Sequence, residues 1–214
     1  KYSKLSPKPD IEAFVENDDK KISWSRDLKL DLRREHAAEF QPEKIRRSLY
    51  RTFTQEYLFF DRILNEEVYQ FPHIFPTPAT EAENFVICCN CVGSEKPFMA
   101  IMSDKIVNLS FLGGGTALQC FPFYTYDEDG ANRRENITDW ALAQFRARYG
   151  ALTKWDMFYY VYALLHHPDY RAKYAANLKR DLPRIPFIGK TSEVCETSEV
   201  FGAFADAGRK LAEL

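Results

Sequence analysis

The chain has 214 residues, of which 45% are hydrophobic and 28% charged, and its formal net charge at pH 7 is −2. This length allows one domain with a full hydrophobic core, and the composition is that of an ordinary globular protein. The slightly negative charge provides no global attraction to nucleic acid, so any DNA contact would need a local basic surface.

No apolar run approaches the roughly 20 residues that span a bilayer, and the N-terminus shows no signal-peptide pattern. The chain has five cysteines, and three of them are crowded into Cys88, Cys89 and Cys91, which is not a disulfide framework. Unpaired cysteines favour a reducing compartment. We therefore expect a cytoplasmic protein with no membrane partner.

The first 21 residues are polar and contain Pro7, Pro9 and an acidic run at 16–19. This composition is typical of a solvated connecting segment rather than of a packed element. We interpret residues 1–21 as a linker from an upstream domain and residues 22–214 as one domain, so that the chain would be part of a longer protein.

From 45 to 53, one set of residues contains Ile45, Leu49 and Phe53 together with Arg47 and Arg51, and it alternates with Arg46, Ser48, Tyr50 and Thr52. This period of two predicts a strand, and 57–60 would return after a turn at 54–56. Further strands are predicted at 85–89, 98–102, 106–112 and 121–126. The proline-rich segment Tyr69–Pro78 is expected to be an extended surface loop.

The second half has helical periodicity. Thr138 is a candidate N-cap for a helix that ends at Gly150, and Thr153 with Asp156 forms a candidate capping box for the next helix. That helix has apolar residues over most of its circumference, which predicts a buried central helix. Thr191–Thr197 is predicted as a loop before a final helix. A strand-rich part (45–126) followed by a helical part (137–214) predicts an α+β fold with a mixed or antiparallel sheet.

A series of short runs recurs in the same order in one enzyme family. These runs are Phe158-Tyr159-Tyr160-Val161-Tyr162, Leu164-Leu165-His166, Pro168-Asp169-Tyr170-Arg171, Tyr174-Ala175, Leu178-Lys179 and Leu182-Pro183-Arg184-Ile185-Pro186. Upstream, Tyr50-Arg51-Thr52-Phe53 and the aromatic run at 121–126 match as well, although Thr52 replaces the usual proline. From about Trp24 onward, the chain resembles the C-terminal specificity region of Type ISP restriction–modification enzymes.

The resemblance implies a DNA target-recognition domain. Type ISP enzymes combine a nuclease, a helicase-like translocase, an adenine methyltransferase and such a domain in one polypeptide. The expected partners are double-stranded DNA and the methyltransferase and coupler regions of the parent chain. S-adenosylmethionine, ATP and Mg would serve the parent enzyme, and this chain itself is expected to have no cofactor and no catalytic residue.

Basic and amide side chains on the predicted strands and loops are the candidate DNA contacts. Arg can bridge guanine O6 and N7, and Asn can bridge adenine N6 and N7, although the cations could equally hold phosphates. The candidates, selected by residue type and position, are Arg46, Arg47, Arg51, Lys96, Lys105, Arg133, Arg134 and Asn136. The resemblance does not assign base readers among them.

Four motif fragments suggest other chemistry, and each has a simpler explanation. They are Gly189-Lys190-Thr191, Pro9-Asp10 with Asp18-Asp19-Lys20, the cluster Cys88, Cys89 and Cys91, and His166-His167 with Asp169. The first lacks the upstream glycine of a phosphate loop, and the second lies in a segment that cannot form the strands of a nuclease metal site. The third has no second ligand pair for zinc, and adjacent histidines on a helix point to different sides.

Two other functions remain open. The chain could be the specificity domain of a restriction–methyltransferase fusion without a translocase. It could also be a protein-interaction module that uses an aromatic surface around Tyr69–Phe75. Salt dependence separates the last possibility from DNA binding, because phosphate contacts weaken steeply with salt whereas aromatic protein contacts do not.

Overall fold

The computed structural model describes residues 23–65, 68–90, 92–115, 117–188 and 194–214, with side chains of the last range described from residue 197. The strands are β1 (Ile45–Arg51), β2 (Thr54–Phe59), β3 (Val86–Asn90), β4 (Ala100–Ser103), β5 (Ile106–Val107), β6 (Leu118–Pro122), β7 (Tyr124–Thr125) and β8 (Arg134–Glu135). The helices are α1 (Arg26–Arg33), α2 (Phe71–Ile74), α3 (Pro78–Glu81), α4 (Asp139–Tyr149), α5 (Lys154–His166), α6 (Pro168–Lys173), α7 (Ala175–Leu178) and α8 (Val194–Ala212). Sheets in the first half and helices in the second confirm the α+β prediction.

The described chain folds as two compact units. The first takes in residues 23–46 and 57–69, and the second takes in residues 47–56 and 70–214. The first unit contains α1. Elsewhere in this unit, the rings of Phe40 and Phe59 stack with their centroids 5.7 Å apart. An ion pair of 2.7 Å between Lys44 and Asp61 joins the same two stretches of chain. The predicted linker at 1–21 lies outside the described residues.

A three-stranded antiparallel sheet in the order β4-β3-β6 lies in the second unit. Every residue of the central strand β3 is buried, so its continuous Val-Ile-Cys-Cys run is covered on both faces. In the register of the sheet, Val86 pairs with Ser103 of β4 and with Pro122 of β6. These three residues mark one end of the sheet, which we call the Val86 end, and Asn90 lies at the other end.

A second sheet has the order β2-β1-β5, with β1 and β5 parallel, so the prediction of mixed pairing is confirmed. The predicted turn at 54–56 is wrong. The chain reverses at Thr52 and Phe53, and residues 54–56 belong to β2. Their polar side chains are exposed because β2 is an edge strand, and this polarity resembled a turn.

Helix α5 is the central helix of the second unit, as predicted. The Thr153 hydroxyl accepts a hydrogen bond from the Asp156 amide, and the Asp156 carboxylate accepts one from the Thr153 amide, which completes the capping box. Tyr160 is fully buried (0% exposed), and Phe158 and Leu165 are buried on the same helix. Among the described residues, no helix is both long enough and apolar enough to cross a membrane.

Helix α8 packs closely on α5. A Cβ atom added at Gly208 would lie 2.0 Å from the carbonyl oxygen of Tyr159, so only glycine allows this approach. The ring of Phe201 stacks on Tyr160 and on Tyr149, with centroids 4.9 and 4.7 Å apart. Helix α8 already begins at Val194, so the predicted loop through residue 197 is too long, and its first three residues lie outside the described part of the chain.

Three buried phenols hold the extended segment that follows α7. Tyr170 donates to the carbonyl of Arg184 at 2.9 Å, and Tyr160 donates to that of Pro186 at 2.9 Å. The Tyr149 oxygen accepts from the amide of Ile188 at 2.7 Å. Because the bonded residues are spaced by two along an extended chain, the tyrosines fix its course over the helices.

The segment Tyr69–Pro78 is not the predicted surface loop. It contains α2, and Ile74 and Phe75 at its end are buried, with Phe75 0% exposed. Pro72 and Pro78 occupy the first turns of α2 and α3, where the missing N–H needs no partner, so these prolines begin helices rather than prevent them. Of the aromatic residues on which the interaction-module alternative depended, Phe75 is buried, Phe71 is partly buried and Tyr69 is 63% exposed.

Candidate nucleic-acid interface

The β1–β2 hairpin presents two of the candidate cations and an aromatic tip. Arg47 is exposed, and its guanidinium donates to Gln55 across the hairpin at 3.4 Å. Arg51 lies with its guanidinium 4.0 Å from the centroid of the Tyr50 ring and donates to the Asn108 side chain at 3.4 Å. At the turn, the Phe53 side chain is 97% exposed. Sequence reasoning did not select Phe53, because the predicted strand extended to residue 53 and the turn was predicted after it.

The loop after β5 supports this hairpin and also holds Lys96. The Thr52 hydroxyl donates to the carbonyl of Phe111 at 3.2 Å. Farther along the loop, the Lys96 ammonium donates to the carbonyl of Gly114 at 2.7 Å. A Cβ on Gly113 would lie 2.6 Å from the Lys96 nitrogen, so the glycine makes room for the ammonium group.

Strands β7 and β8 form a short antiparallel hairpin that carries the other main group of candidates. The Arg133 guanidinium forms a 2.6 Å ion pair with Glu83 and lies 4.7 Å from the centroid of the Tyr124 ring. The Tyr126 hydroxyl donates to the same carboxylate at 2.9 Å. Burial and the hydrogen bond to Glu83 raise the pKa of Tyr126, so the phenol stays protonated and fixes the carboxylate.

The next two candidates on this hairpin are also bonded within the protein. Arg134 forms a 2.9 Å ion pair with Asp127, which accepts a further bond of 2.6 Å from Asn132. The bonds from Asn132 and Arg134 lower the pKa of Asp127, so its carboxylate stays ionised. The Asn136 side chain donates to the carbonyl of Pro122 at 3.1 Å. Its amide therefore braces the base of the hairpin.

The remaining two candidates occupy different environments. Lys105 forms a 2.7 Å ion pair with its neighbour Asp104 in the turn between β4 and β5. Arg46 is buried, with 5% of its surface exposed, and does not present its guanidinium to solvent in this arrangement. Buried arginine is uncommon on a strand, and the period-two pattern alone gave no reason to place this face inward.

The candidate residues near the β4-β3-β6 sheet lie at its two opposite ends. Lys105 follows Ser103, and the β7–β8 hairpin begins just after Pro122, so both leave the sheet at the Val86 end. Lys96 lies between Asn90 and β4, at the opposite end. The eight candidates are therefore distributed over several elements rather than gathered in one basic patch.

The ionic partners divide the candidates into two classes. Lys105, Arg133 and Arg134 are each paired with a carboxylate, which reduces the local positive field. Within the described residues, Arg51 and Lys96 have only neutral partners. Of these five candidates, Arg51 and Lys96 keep the largest uncompensated charge for an incoming anion.

A family model described as the Type ISP C-terminal specificity domain matches residues 3–214. The chain belongs to this family. No curated protein matches the sequence of this specificity domain.

The fold of this chain is similar to parts of several solved structures. A DrdV–DNA complex is 36% identical with a TM-score of 0.80, over 98% of this chain and 19% of DrdV. A nuclease-deletion mutant of the Type ISP enzyme LlaGI, in complex with a DNA substrate mimic, is 33% identical with a TM-score of 0.73, over 95% of this chain and 16% of that one. The Type ISP enzyme LlaBIII bound to DNA has the same fold, with a TM-score of 0.73 over 90% of this chain, 12% of that one, and 24% identity. The specificity domain thus spans less than a fifth of the length of each of these chains.

Proposed function

We propose that this chain is the DNA target-recognition module of a Type ISP restriction–modification enzyme. In that role it selects a double-stranded DNA site, and other domains of the parent polypeptide act on that site. Those domains would methylate adenine with S-adenosylmethionine and carry out ATP-dependent restriction with Mg as a cofactor. The enzyme would act in the cytoplasm. The helical part around α5 would contact the methyltransferase and coupler regions, while the hairpins face the duplex.

The match to the family model, together with the related structures solved with DNA, supports this proposal most directly. The specificity-domain model matches almost the whole chain, and the DrdV and LlaGI structures, both more than 30% identical, are complexes with DNA or a DNA mimic. The placement of Arg51 beside Asn108, and of Arg133 and Arg134 on a second hairpin, supplies the donor types that recognise phosphates and guanine edges.

The test is selection from a randomised duplex pool at two salt concentrations, followed by sequencing of the retained DNA. It should be done with this chain and with the longer protein that contains it. We expect enrichment of one short asymmetric motif and steep weakening at the higher salt, because counterions released from the phosphates favour binding. Absence of retention even at low salt would overturn the proposal.

Arginine substitutions then assign roles on the β7–β8 hairpin. If Arg133 reads a base, Arg133→Ala should weaken binding of the enriched motif by about 5- to 150-fold (about 1–3 kcal/mol) and relax preference at one position. If Arg134 instead holds a phosphate, Arg134→Ala should weaken all duplexes alike and reduce the salt slope by about one. Arg180→Ala is the matched control, because Arg180 is an exposed arginine that follows α7 and belongs to neither hairpin.

A further inference from the structure

Phe53 is the most exposed aromatic side chain among the described residues, with 97% of its surface open to solvent. It has no aromatic partner in the described part of the chain, whereas most of the buried aromatic rings contact one another. Leaving a phenylalanine in water forgoes the favourable free energy of burying its ring. Single exposed apolar side chains are common on protein surfaces, so the exposure of Phe53 gains meaning only from the braced turn and the cations around it.

The turn that carries Phe53 is braced. Thr52 bonds to the carbonyl of Phe111, and Arg51 bonds to Asn108, so both residues before the tip are tied to one loop. The backbone of Asn108 also donates to the carbonyl of Leu49 at 2.9 Å, which continues the pairing of β1 with β5. These bonds fix the backbone around Phe53, so the turn loses little conformational freedom when the ring binds.

The charges around the tip indicate what covers it. Arg47 and Arg51 lie four residues apart on β1, and successive side chains of a strand alternate, so both are on one face of the hairpin. Arg51 bonds to neutral groups and stacks on Tyr50, which leaves its positive charge uncompensated by any described carboxylate. Cations beside an aromatic tip can bind phosphates while the ring stacks on a base. Duplex DNA offers both, because charged phosphates surround its stacked aromatic bases.

We propose that the β1–β2 hairpin enters a groove of the target duplex and that the Phe53 ring stacks against a base at a partly unstacked step. This inference rests on the proposed function and names the surface that performs it. The cations Arg47 and Arg51 hold the flanking phosphates, and Thr52 and Asn108 keep the tip in place. The expected result is a local distortion of the DNA, with affinity gained from the stacked ring.

The test uses the full-length protein and the duplex motif enriched from the randomised pool, with 2-aminopurine replacing one base at a time. Binding of the unmodified protein should raise 2-aminopurine fluorescence at one step of the site, because unstacking relieves quenching. Phe53→Ala should abolish that signal and weaken binding by about 5- to 150-fold, the range for loss of one base–aromatic stack. Phe53→Trp should keep both the signal and the affinity.

Further variants separate this inference from simpler explanations. Arg47→Ala should reduce the salt slope of binding by about one while leaving the fluorescence signal in place. Leu182→Ala removes another exposed apolar side chain, 44% exposed in the helical part, and should change neither quantity. The melting temperature should be unaffected by Phe53→Ala, since the ring has no described packing partner.

Two outcomes would overturn the inference while the proposed function stands. In one, the unmodified protein enriches a motif but Phe53→Ala binds it with unchanged affinity and fluorescence. In the other, Phe53→Ala leaves DNA binding intact and instead weakens association among the parent domains, so that the tip covers protein. Failure of the unmodified protein to retain any duplex is different, because it rejects the proposed function itself.

Discussion

Two glycines six positions apart in α8 should respond in opposite ways to alanine. At Gly208, a new Cβ would lie 2.0 Å from the Tyr159 carbonyl oxygen and 2.7 Å from its carbonyl carbon, both backbone atoms of α5. At Gly202, apart from its own and its neighbours' atoms and the adjacent backbone of α8, no described heavy atom lies within 4 Å of the new methyl group. The same substitution therefore tests helix packing at one site and helix propensity at the other.

The magnitudes follow from the geometry. Replacing glycine by alanine inside a helix gains about 0.5–1 kcal/mol, so Gly202→Ala should stabilise by about that amount. Gly208→Ala gains the same term, but α8 must retreat about 1.4 Å to restore ordinary contact, and overpacking of this kind costs about 1–3 kcal/mol or more. We expect Gly208→Ala to lower the free energy of unfolding by about 2 kcal/mol, which is a fall of about 4–8 °C in Tm.

Urea and thermal unfolding of the two variants and the unmodified chain measure this difference. Far-ultraviolet circular dichroism follows the helices. Tryptophan fluorescence comes from Trp24, Trp140 and Trp155, and the Trp155 ring reports on the region of the contact because it stacks on Tyr159 at 5.6 Å. The reasoning would be refuted if Gly208→Ala stabilised the chain as much as Gly202→Ala. That result would mean that α5 and α8 do not approach as closely as this.

Three further substitutions test the helical part. Thr153→Ala removes the capping box of α5 and should lower the free energy of unfolding by about 0.5–2 kcal/mol in a urea titration. Tyr160→Phe keeps the ring but loses the bond to the Pro186 carbonyl, which should cost about 1 kcal/mol, and an unchanged midpoint would argue against that bond. Burial, reinforced by Arg171, lowers the pKa of His166. The unfolded histidine therefore takes up a proton at higher pH than the folded one, and stability should fall as pH drops below about 6.5. In His166→Gln, this part of the pH dependence between pH 7 and 5 should disappear.

Elements set by local chemistry were predictable from the sequence. The start of α5 depends on two residues three positions apart, and its burial follows from apolar side chains around the whole helix. The turn between β1 and β2 was misplaced because it depends on the contact of Thr52 with Phe111, 59 positions away. The prolines of α2 and α3 were misjudged because a proline in a first turn and a proline in a loop look alike in sequence.

For the candidate site, too, the sequence predicted some features and not others. Residue types suited to DNA contact could be selected from the sequence, but their partners could not. Arg133 meets Glu83 across 50 positions, and the burial of Arg46 depends on which face of β1 turns inward. Phe53 was passed over because it was assigned to the predicted strand, where an aromatic residue is usually a core residue, and only the three-dimensional turn shows that the ring is exposed.

The pairing pattern assigns different tasks to the two hairpins. An arginine already bonded to a carboxylate has less net charge to offer a phosphate, but its orientation is fixed, and a guanidinium has five N–H donors, so some remain for a base edge. Arg133, held between Glu83 and the Tyr124 ring, fits this description. Arg51 and Lys96, with neutral partners, fit the attraction of phosphates. We therefore expect the salt dependence of binding to respond mainly to changes at Arg47, Arg51 and Lys96, and the sequence preference to changes on the β7–β8 hairpin. On this proposal, a chain with a net charge of −2 recognises DNA because its uncompensated cations attract the duplex and its paired cations are oriented toward base edges.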